Sequence, residues 1–573
     1  MTPETIAVSP QPRSPLDRSP ALLSVASALL TWATFPPAEA SWLAWVSLVP
    51  FFSVLGSQRP ARSIYFGAWL GGLVFWVLAI QWIRHTDETA WLGWLVMATF
   101  LSLGWPLFVW LTRTAVLRLR ISPLAAAPIM WVALELVRSY ILTGFPWYYL
   151  AHSQFRMLPV IQMADLTGAL GLSLLIALVN ATLTKALLSW TNPANLGHPQ
   201  LDRDAIRGVI VTSALLIATL AYGGIRLATS RFEAGPRIAL MQTNIPQSYK
   251  NRAESTKIIA DIEAMIARLA KAKERPDLLV WPETSYPHGL VQIAGGLSAS
   301  ELETQGKVYG PNREPAWYNE QKRITDGYLL ELAGYLKTPM VVGVTLYDFA
   351  RGGASRFNSA VVIEPGKAVS QAYHKLFLVP FGEYIPLFEV FPWLITLTPY
   401  RDGYVPNLSF GRETPPLDVN SWRYAVAICF EDTVARVVRR GMVPDATGRA
   451  PDVLLNLTND GWFHGSPEHE MHLAVSVFRA VENRVPLARA VNSGISAIID
   501  GNGKIIASLP KMTEDILSVV TPLDGRVSLY TRLGDWVGGL CLAACLAVTV
   551  MAFLGKTRHQ PISANLPGLP QGG

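Results

Sequence analysis

Three polar residues stand after, or between, short apolar runs: Glu283 in WPETSYP, Lys375 in YHKLFLVPFGEY and Cys429 in AICFED. A thiol is a useful nucleophile as its thiolate, which a nearby ammonium such as that of Lys375 favours and whose departing proton a carboxylate such as Glu283 can take. The same ammonium, with a backbone N–H beside Cys429, could counter the charge of a tetrahedral intermediate. Glu283 would then shuttle the proton to or from a second substrate. The expected intermediate is a thioester, reactive enough for an amine to displace and open to hydrolysis by water. Cys429 is one of three cysteines, and the other two, Cys541 and Cys545, lie in a C-terminal apolar stretch. With no plausible disulfide partner, Cys429 needs another reason to be present, either as a core thiol or as a nucleophile.

His464, His469 and His472 in HGSPEHEMH form a rival constellation. Their spacing is not HExxH, and a helix starting at Ser466 and Pro467 places only His469 and His472 on one face. No Cys or acidic pattern completes a tetrahedral set, so neither a metal nor another cofactor is expected.

The elements that must position the three groups are legible as short apolar runs between turn residues: 278 to 281, 340 to 346, 424 to 428 and 453 to 457 read as buried strands. Residues 495 to 507 add two short strands around Gly501, Asn502 and Gly503. Ile258, Ile262, Met265, Ile266 and Leu269 recur at helical spacing, and a second helix runs from Ser466–Pro467 to about Asn483. Strands alternating with helices make this region α/β.

The rest of the 573 residues belongs to lipid, since 50% of the chain is hydrophobic and only 16% charged. Apolar segments lie at roughly 21 to 36, 41 to 57, 63 to 83, 90 to 112, 122 to 142, 168 to 190, 207 to 228 and 533 to 554. Arg13 and Arg18, Arg59 and Arg62, Arg113, Arg118 and Arg120, Lys185, Arg203 and Arg207, and Lys556 and Arg558 fall on one side of this series, with mainly Arg84 and Arg156 on the other. Cytoplasmic loops hold the excess of Lys and Arg, so the polar region would be exported to the periplasm. The expected organisation is a cytoplasmic tail (1–20), an uncleaved seven-helix membrane domain (21–231), a periplasmic catalytic domain (232–528), and an eighth helix with a cytoplasmic tail (529–573). Trp42, Trp82, Trp91, Trp147 and Trp536 stand at segment ends, where an indole suits the headgroup layer. Glu135 and Arg138 lie three apart in the fifth segment, as a structural pair or a headgroup site. The net charge of +6 is spread without a basic stripe, which argues against a nucleic acid partner.

WPE, then HK with LVPFGEY, then CFED, in that order, resemble the Glu, Lys and Cys signatures of the nitrilase superfamily. QTNIPQS (242 to 248), FNSA (357 to 360), PFGEYIP (380 to 386), NLTNDGWF (456 to 463) and RAVNSGISAIID (489 to 500), with TGFPW and HSQ in the membrane part, resemble the apolipoprotein N-acyltransferase branch. The resemblance covers nearly the whole chain. It implies an α-β-β-α sandwich beside a polytopic α-helical membrane domain of about eight helices, working as a monomer. It also implies a ping-pong transfer from the sn-1 position of a phospholipid to Cys429, and onward to the α-amino group of a diacylglyceryl-cysteine on an apolipoprotein. Glu383 matches a second glutamate supporting the lysine, Glu431 another acidic residue, and Phe430 stands where better-known members have Tyr. Trp147, Gln242, Asn459 and Trp462, in the matched stretches, are the expected substrate contacts. Asn251 replaces a common Trp. The alternatives are a tethered amidase passing the acyl group to water, which would need only one anchor, and a transporter or scaffold with an inactive domain, which would not need all three groups.

Overall fold

The computed structural model describes residues 19–191, 200–251, 254–306, 314–369, 371–388, 390–397 and 407–554. Arg13, Arg18, Lys556 and Arg558, read above as cytoplasmic charges, lie outside the described residues, as does the Asn251 side chain.

The N-terminal part is helical: α1 (Pro20–Trp32), α2 (Ala61–Ala79), α3 (Ala90–Ser102), α4 (Gly104–Leu117), α5 (Pro123–Arg138), α6 (Ala164–Trp190) and α7 (Arg203–Ala228). Among the described residues, five helices are long and apolar enough to cross a membrane: α2, the contiguous Ala90–Leu117, α6, α7 and a C-terminal helix, Trp536–Leu554. Three expected segments are shorter. The first ends at Trp32, ahead of Pro36 and Pro37, and the fifth is the 16-residue α5. The second is broken into Ser41–Trp45, Val49–Ser53 and Val54–Gly56, with Pro50 in the first turn of the middle piece, where a proline can start a helix but not continue an earlier one. Trp42 and Trp91 are exposed, as expected of membrane-surface residues, whereas Trp82 and Trp147 are buried against one another at 5.4 Å. Glu135 and Arg138 are each spent on the loop that follows α5: Glu135 accepts from the Leu150 N–H at 3.0 Å, and Arg138 donates to the carbonyls of Phe145 and Trp147.

The polar region opens with β1 (Phe232–Gln242) and continues through α8 (Ser255–Ala270), β2 (Leu278–Val280), β3 (Leu290–Ile293), α9 (Pro315–Leu336), β4 (Met340–Ala350), β5 (Gly353–Ile363) and β6 (Ala372–His374). Then follow β7 (Leu417–Val419), β8 (Trp422–Ile428), α10 (Ala435–Met442), β9 (Val453–Thr458), α11 (Glu468–Asn483), β10 (Leu487–Val491), β11 (Ala497–Ile499), β12 (Ile505–Ser508), β13 (Asp515–Asp524) and α12 (Trp536–Leu554). One sheet runs β13-β1-β2-β4-β5-β6 with β3 beside β4; the other runs β12-β11-β10-β9-β8-β7.

Alternation along β8 explains the layering, because successive side chains leave a strand on opposite faces. Val426 and Ile428 enter the layer between the sheets, with Val280, Val341 and Leu457, while Ala425 and Ala427 face outward. On the far side of the first sheet, Ile258, Ile262 and Met265 of α8 and Leu329 of α9 pack on Met241, Leu279 and Val342. The outer face of the second sheet is covered by α11, giving an α-β-β-α sandwich. The apolar cluster around Met471, Val475 and Phe478 of α11 runs on without a break into Met130, Ala133, Leu172 and Ile176 of the membrane helices.

Polar contacts seal this seam. The α6 helix is interrupted at Gly168 (φ +67°), where a Cβ would lie 2.5 Å from the Tyr530 ring, so glycine alone fits the break. The freed Ala169 N–H donates to Glu482 at 2.9 Å. Arg484, just past α11, is buried and donates to Asp165 at 2.8 Å and to the Gln162 side chain at 2.7 Å, and Arg226 of α7 reaches the same Asp165 at 2.7 Å.

Candidate active site

Cys429 follows β8 at the first position of a 3-10 turn, Cys429–Thr433, with a left-handed backbone (φ +52°). A side-chain-bearing residue in that region is strained and persists only where its surroundings enforce it. Here the enforcement comes from Glu431, which is fully buried. Its Oε2 accepts from the Ile428 N–H at 2.7 Å and the Tyr373 hydroxyl at 2.9 Å; its Oε1 accepts from the amides of Leu376 and Phe377 at 2.6 and 3.0 Å. One carboxylate thereby ties the Cys429 turn to the segment that carries Lys375. Burial pushes Glu431 up to about 7 against the pull of those donors. Phe430 stacks on Phe377 at 5.9 Å, adding an apolar contact between the same two segments.

Glu283 follows β2, where Gly343 of β4 lets the chain pass: a Cβ there would sit 2.2 Å from the Pro282 carbonyl oxygen. Lys375 follows β6, and its N–H donates to the Asn358 carbonyl of β5 at 2.8 Å. The Lys375 ammonium is buried and lies 3.1 Å from Glu283 Oε1 and 2.9 Å from Glu383 Oε1. Asn358 Nδ2 donates to the same two oxygens at 2.7 and 2.8 Å. Two donors thus hold two carboxylates at one point. Glu283 Oε2 accepts from the Asn459 N–H at 3.0 Å and Glu383 Oε2 from the Val379 N–H at 2.8 Å.

The electrostatics follow. Burial opposes the ammonium, but Glu283 and Glu383 hold Lys375 well above its usual value. Burial and the Glu283 charge raise the Cys429 thiol well above its ordinary value, and Lys375 offsets only part of this. Burial and the Glu283 carboxylate thus favour the neutral thiol at rest, against the thiolate that the lysine would favour. Such a site activates sulfur only as its proton leaves. Glu283 Oε2, with one donor, retains a lone pair to receive it.

The four expected substrate contacts divide. Asn459 lies at the site, its N–H on Glu283 and its side chain between Gln247 (3.0 Å) and Asn492 (2.8 Å). Trp462 is half-buried in the 3-10 turn Asp460–Phe463. Trp147 is buried in the seam, its ring 5.4 Å from His472. Gln242 is turned to other work: fully buried, it donates to the carbonyls of Pro510 and Thr513 and accepts from the Ser496 N–H.

The histidines also separate. His469 Nε2 accepts from the Gly465 N–H, whereas His472 turns to Asp432 and Asp460. Contrary to the sequence reading, folding does bring acids to a histidine: Asp460, Glu468 and His472 offer ligand atoms within 4.8 Å of one another. The Asp460 oxygens already hold partners, accepting from Arg489 at 2.7 Å and from Thr458 at 2.8 Å. The sequence reading assigned no contact to Asn358, and weighed His472 only as a metal ligand, without Asp432, Asp460 or Arg489. The one signal at Asn358 was its place in FNSA, which gave the residue no task.

Residues 27–182 match the family of apolipoprotein N-acyltransferase N-terminal domains, and residues 237–528 match the carbon-nitrogen hydrolases. An apolipoprotein N-acyltransferase of Geobacter metallireducens is 32% identical over 547 residues, which span 94% of this chain and 96% of that protein. One from Rhodopirellula baltica is 29% identical over 557 residues, spanning 91% and 95%. A solved CN-hydrolase superfamily protein from Xanthomonas campestris is 18% identical, covering 57% of this chain and 98% of its own, with a TM-score of 0.33.

Proposed function

The chain belongs to the apolipoprotein N-acyltransferase family, and from that premise we propose that it carries a fatty acyl chain from the sn-1 position of a phospholipid, through a thioester on Cys429, to the α-amino group of a diacylglyceryl-cysteine. The observation that carries this reading is the buried Lys375 ammonium, shared between Glu283 and Glu383 next to the strained Cys429 turn.

In the first half-reaction, Sγ attacks the ester carbonyl as its proton passes to Glu283, and the oxyanion is met by Lys375 and a backbone N–H beside Cys429. The protonated Glu283 then gives its proton to the leaving glycerol oxygen, and lysophospholipid departs. In the second half the lipoprotein amine, relieved of a proton by Glu283, attacks the thioester and Sγ leaves. Glu383 and Asn358 fix Lys375 and Glu283, and Glu431 fixes the turn. Asn459, whose N–H holds Glu283, and the half-buried Trp462 of the next turn are assigned to substrate. Anchoring the site on a membrane domain raises the local concentration of both lipid-bearing substrates.

Incubating the purified chain with phospholipid and a diacylated lipopeptide should give a triacylated peptide by mass spectrometry. Free fatty acid with no triacylated product would instead mark it as a hydrolase.

The eight-crossing arrangement, with residues 21–231 and 529–554 in the inner membrane and residues 232–528 in the periplasm, belongs to the same proposal. Arg113 donates to the carbonyls of Leu55 and Ser57, gathering basic ends on one side, while Arg156 pairs with Glu39 at 2.8 Å near the catalytic region. A membrane-impermeant thiol reagent applied to intact cells should label a cysteine introduced at Lys337; labelling only after lysis would reverse the orientation.

A further inference from the structure

His472 lies buried on α11, outside the Glu283–Lys375–Cys429 group, with both ring nitrogens engaged by acids. Nε2 is 2.8 Å from Asp432, and Nδ1 is 3.1 Å from Asp460 and 3.4 Å from Glu468. A ring that faces carboxylates at both nitrogens donates at both and is held as the imidazolium. The balance of burial against these acids brings its pKa up to about 10. The other charges acting on these acids are Arg489 of β10, which reaches Asp432 at 3.2 Å and Asp460 at 2.7 Å, and Arg479 of α11, which acts electrostatically on Asp432; burial lowers the pKa of His469, the further titratable neighbour of Asp460.

The two aspartates are placed where they matter. Asp432 is the third residue past Cys429 in the nucleophile's turn. Asp460 directly follows Asn459, whose N–H holds Glu283. The ring therefore joins the element carrying the sulfur to the turn whose Asn459 N–H holds its proton acceptor, Glu283. Arg489 makes a parallel join, so a second cation would be redundant if cohesion were its sole purpose. What His472 adds is contact with the membrane part. Its ring centroid is 5.4 Å from that of Trp147, in the loop whose carbonyls Arg138 holds. Trp147 packs on Trp82, which meets Phe463 of the Asp460 turn edge-on at 4.9 Å.

We propose that His472 is a positioning residue through which the membrane loop bearing Trp147 sets the alignment of Cys429 with Glu283. This rests on the reading that those two residues do the chemistry. A misplacement of about 1 Å at reacting atoms costs on the order of 100-fold in rate, which fixes the size of the effect to look for.

The test compares wild type with His472→Leu, His472→Gln, Trp147→Leu and Cys429→Ala, all as full-length protein in detergent with phospholipid donor and diacylated lipopeptide. Thermal unfolding measures the folded fraction of each. His472→Leu should lower kcat by about 100-fold with KM for phospholipid within about threefold. His472→Gln, which keeps two N–H donors, should recover about tenfold of that loss, and Trp147→Leu should lower kcat by about tenfold. Losing the imidazolium also leaves Arg489 as the remaining cation on both Asp460 and Asp432, so more negative charge is felt at Cys429, alkylation by iodoacetamide should slow and its pH profile move upward. A folded His472→Leu with wild-type kcat and an unmoved alkylation profile overturns the proposal. So do losses that merely track the folded fraction across the three seam variants. If His472→Leu does not fold, the other two variants decide on the same criteria. Full activity in Cys429→Ala would refute the chemistry itself, a result distinct from failure of the positioning role.

Discussion

Cys429→Ala is expected to lower transfer by at least ~10⁴-fold, the scale seen when a covalent nucleophile is removed, with the fold intact. The side chain is half-buried and small, so its loss opens little space. Glu431 still holds the turn through the Ile428, Leu376 and Phe377 amides, none of which depends on sulfur. No substitute nucleophile stands nearby among the described cysteines, since Cys541 and Cys545 lie along α12. Cys429→Ser should be nearly as inactive, because a hydroxyl gives up its proton far less readily and the resting site already disfavours an anion at this position. Intact-protein mass spectrometry after exposure to phospholipid, with the acceptor peptide withheld, should find an acyl adduct on wild type and none on either variant. An adduct of equal yield on Cys429→Ala would place the nucleophile elsewhere.

Lys375→Met should remove both activity and stability, and the two losses can be separated. Without the ammonium, Glu283 and Glu383 present two oxygens to one Asn358 amide in a buried space. Taking one partner from a buried ion group typically costs about 3–5 kcal/mol. Activity should fall ~10³-fold or more, because the group that meets the oxyanion is gone. Adding Glu383→Gln on this background removes one of the opposed charges, so the midpoint of thermal unfolding should rise again while transfer stays absent. Recovery of activity along with stability would assign Lys375 a purely structural place.

What could be read in advance was what is local. Glu283, Lys375 and Cys429 could be picked out because each ends or interrupts an apolar run, and the runs at 278, 340, 424 and 453 became β2, β4, β8 and β9. The helix over Ile258 to Leu269 announced itself by its spacing in the same way. What stayed hidden depends on partners far along the chain. Asn358 meets Glu283 across 75 residues, and His472 meets Asp432 across 40. The burial that opposes an anion at Cys429 could not be read either, because it is set by the packing of segments far apart in the chain. Glu135 and Arg138 were visible as neighbours on a helix, but their loop targets were not. Trp82 and Trp147 sit at segment ends as headgroup residues do, yet the catalytic region closes over them.

The continuous packing across the seam bears on engineering. A catalytic portion grafted onto a simple lipid tether would carry Arg484 away from Asp165 and Gln162, and would expose to water the face of α11 that now roofs the bundle. Such a graft begins with an orphan guanidinium and a bare greasy helix, a combination that favours aggregation. Chimaeras between relatives should therefore exchange α6 with its glycine break, the Trp147 loop and α11 as one cassette, whichever lipid or peptide preference is being moved.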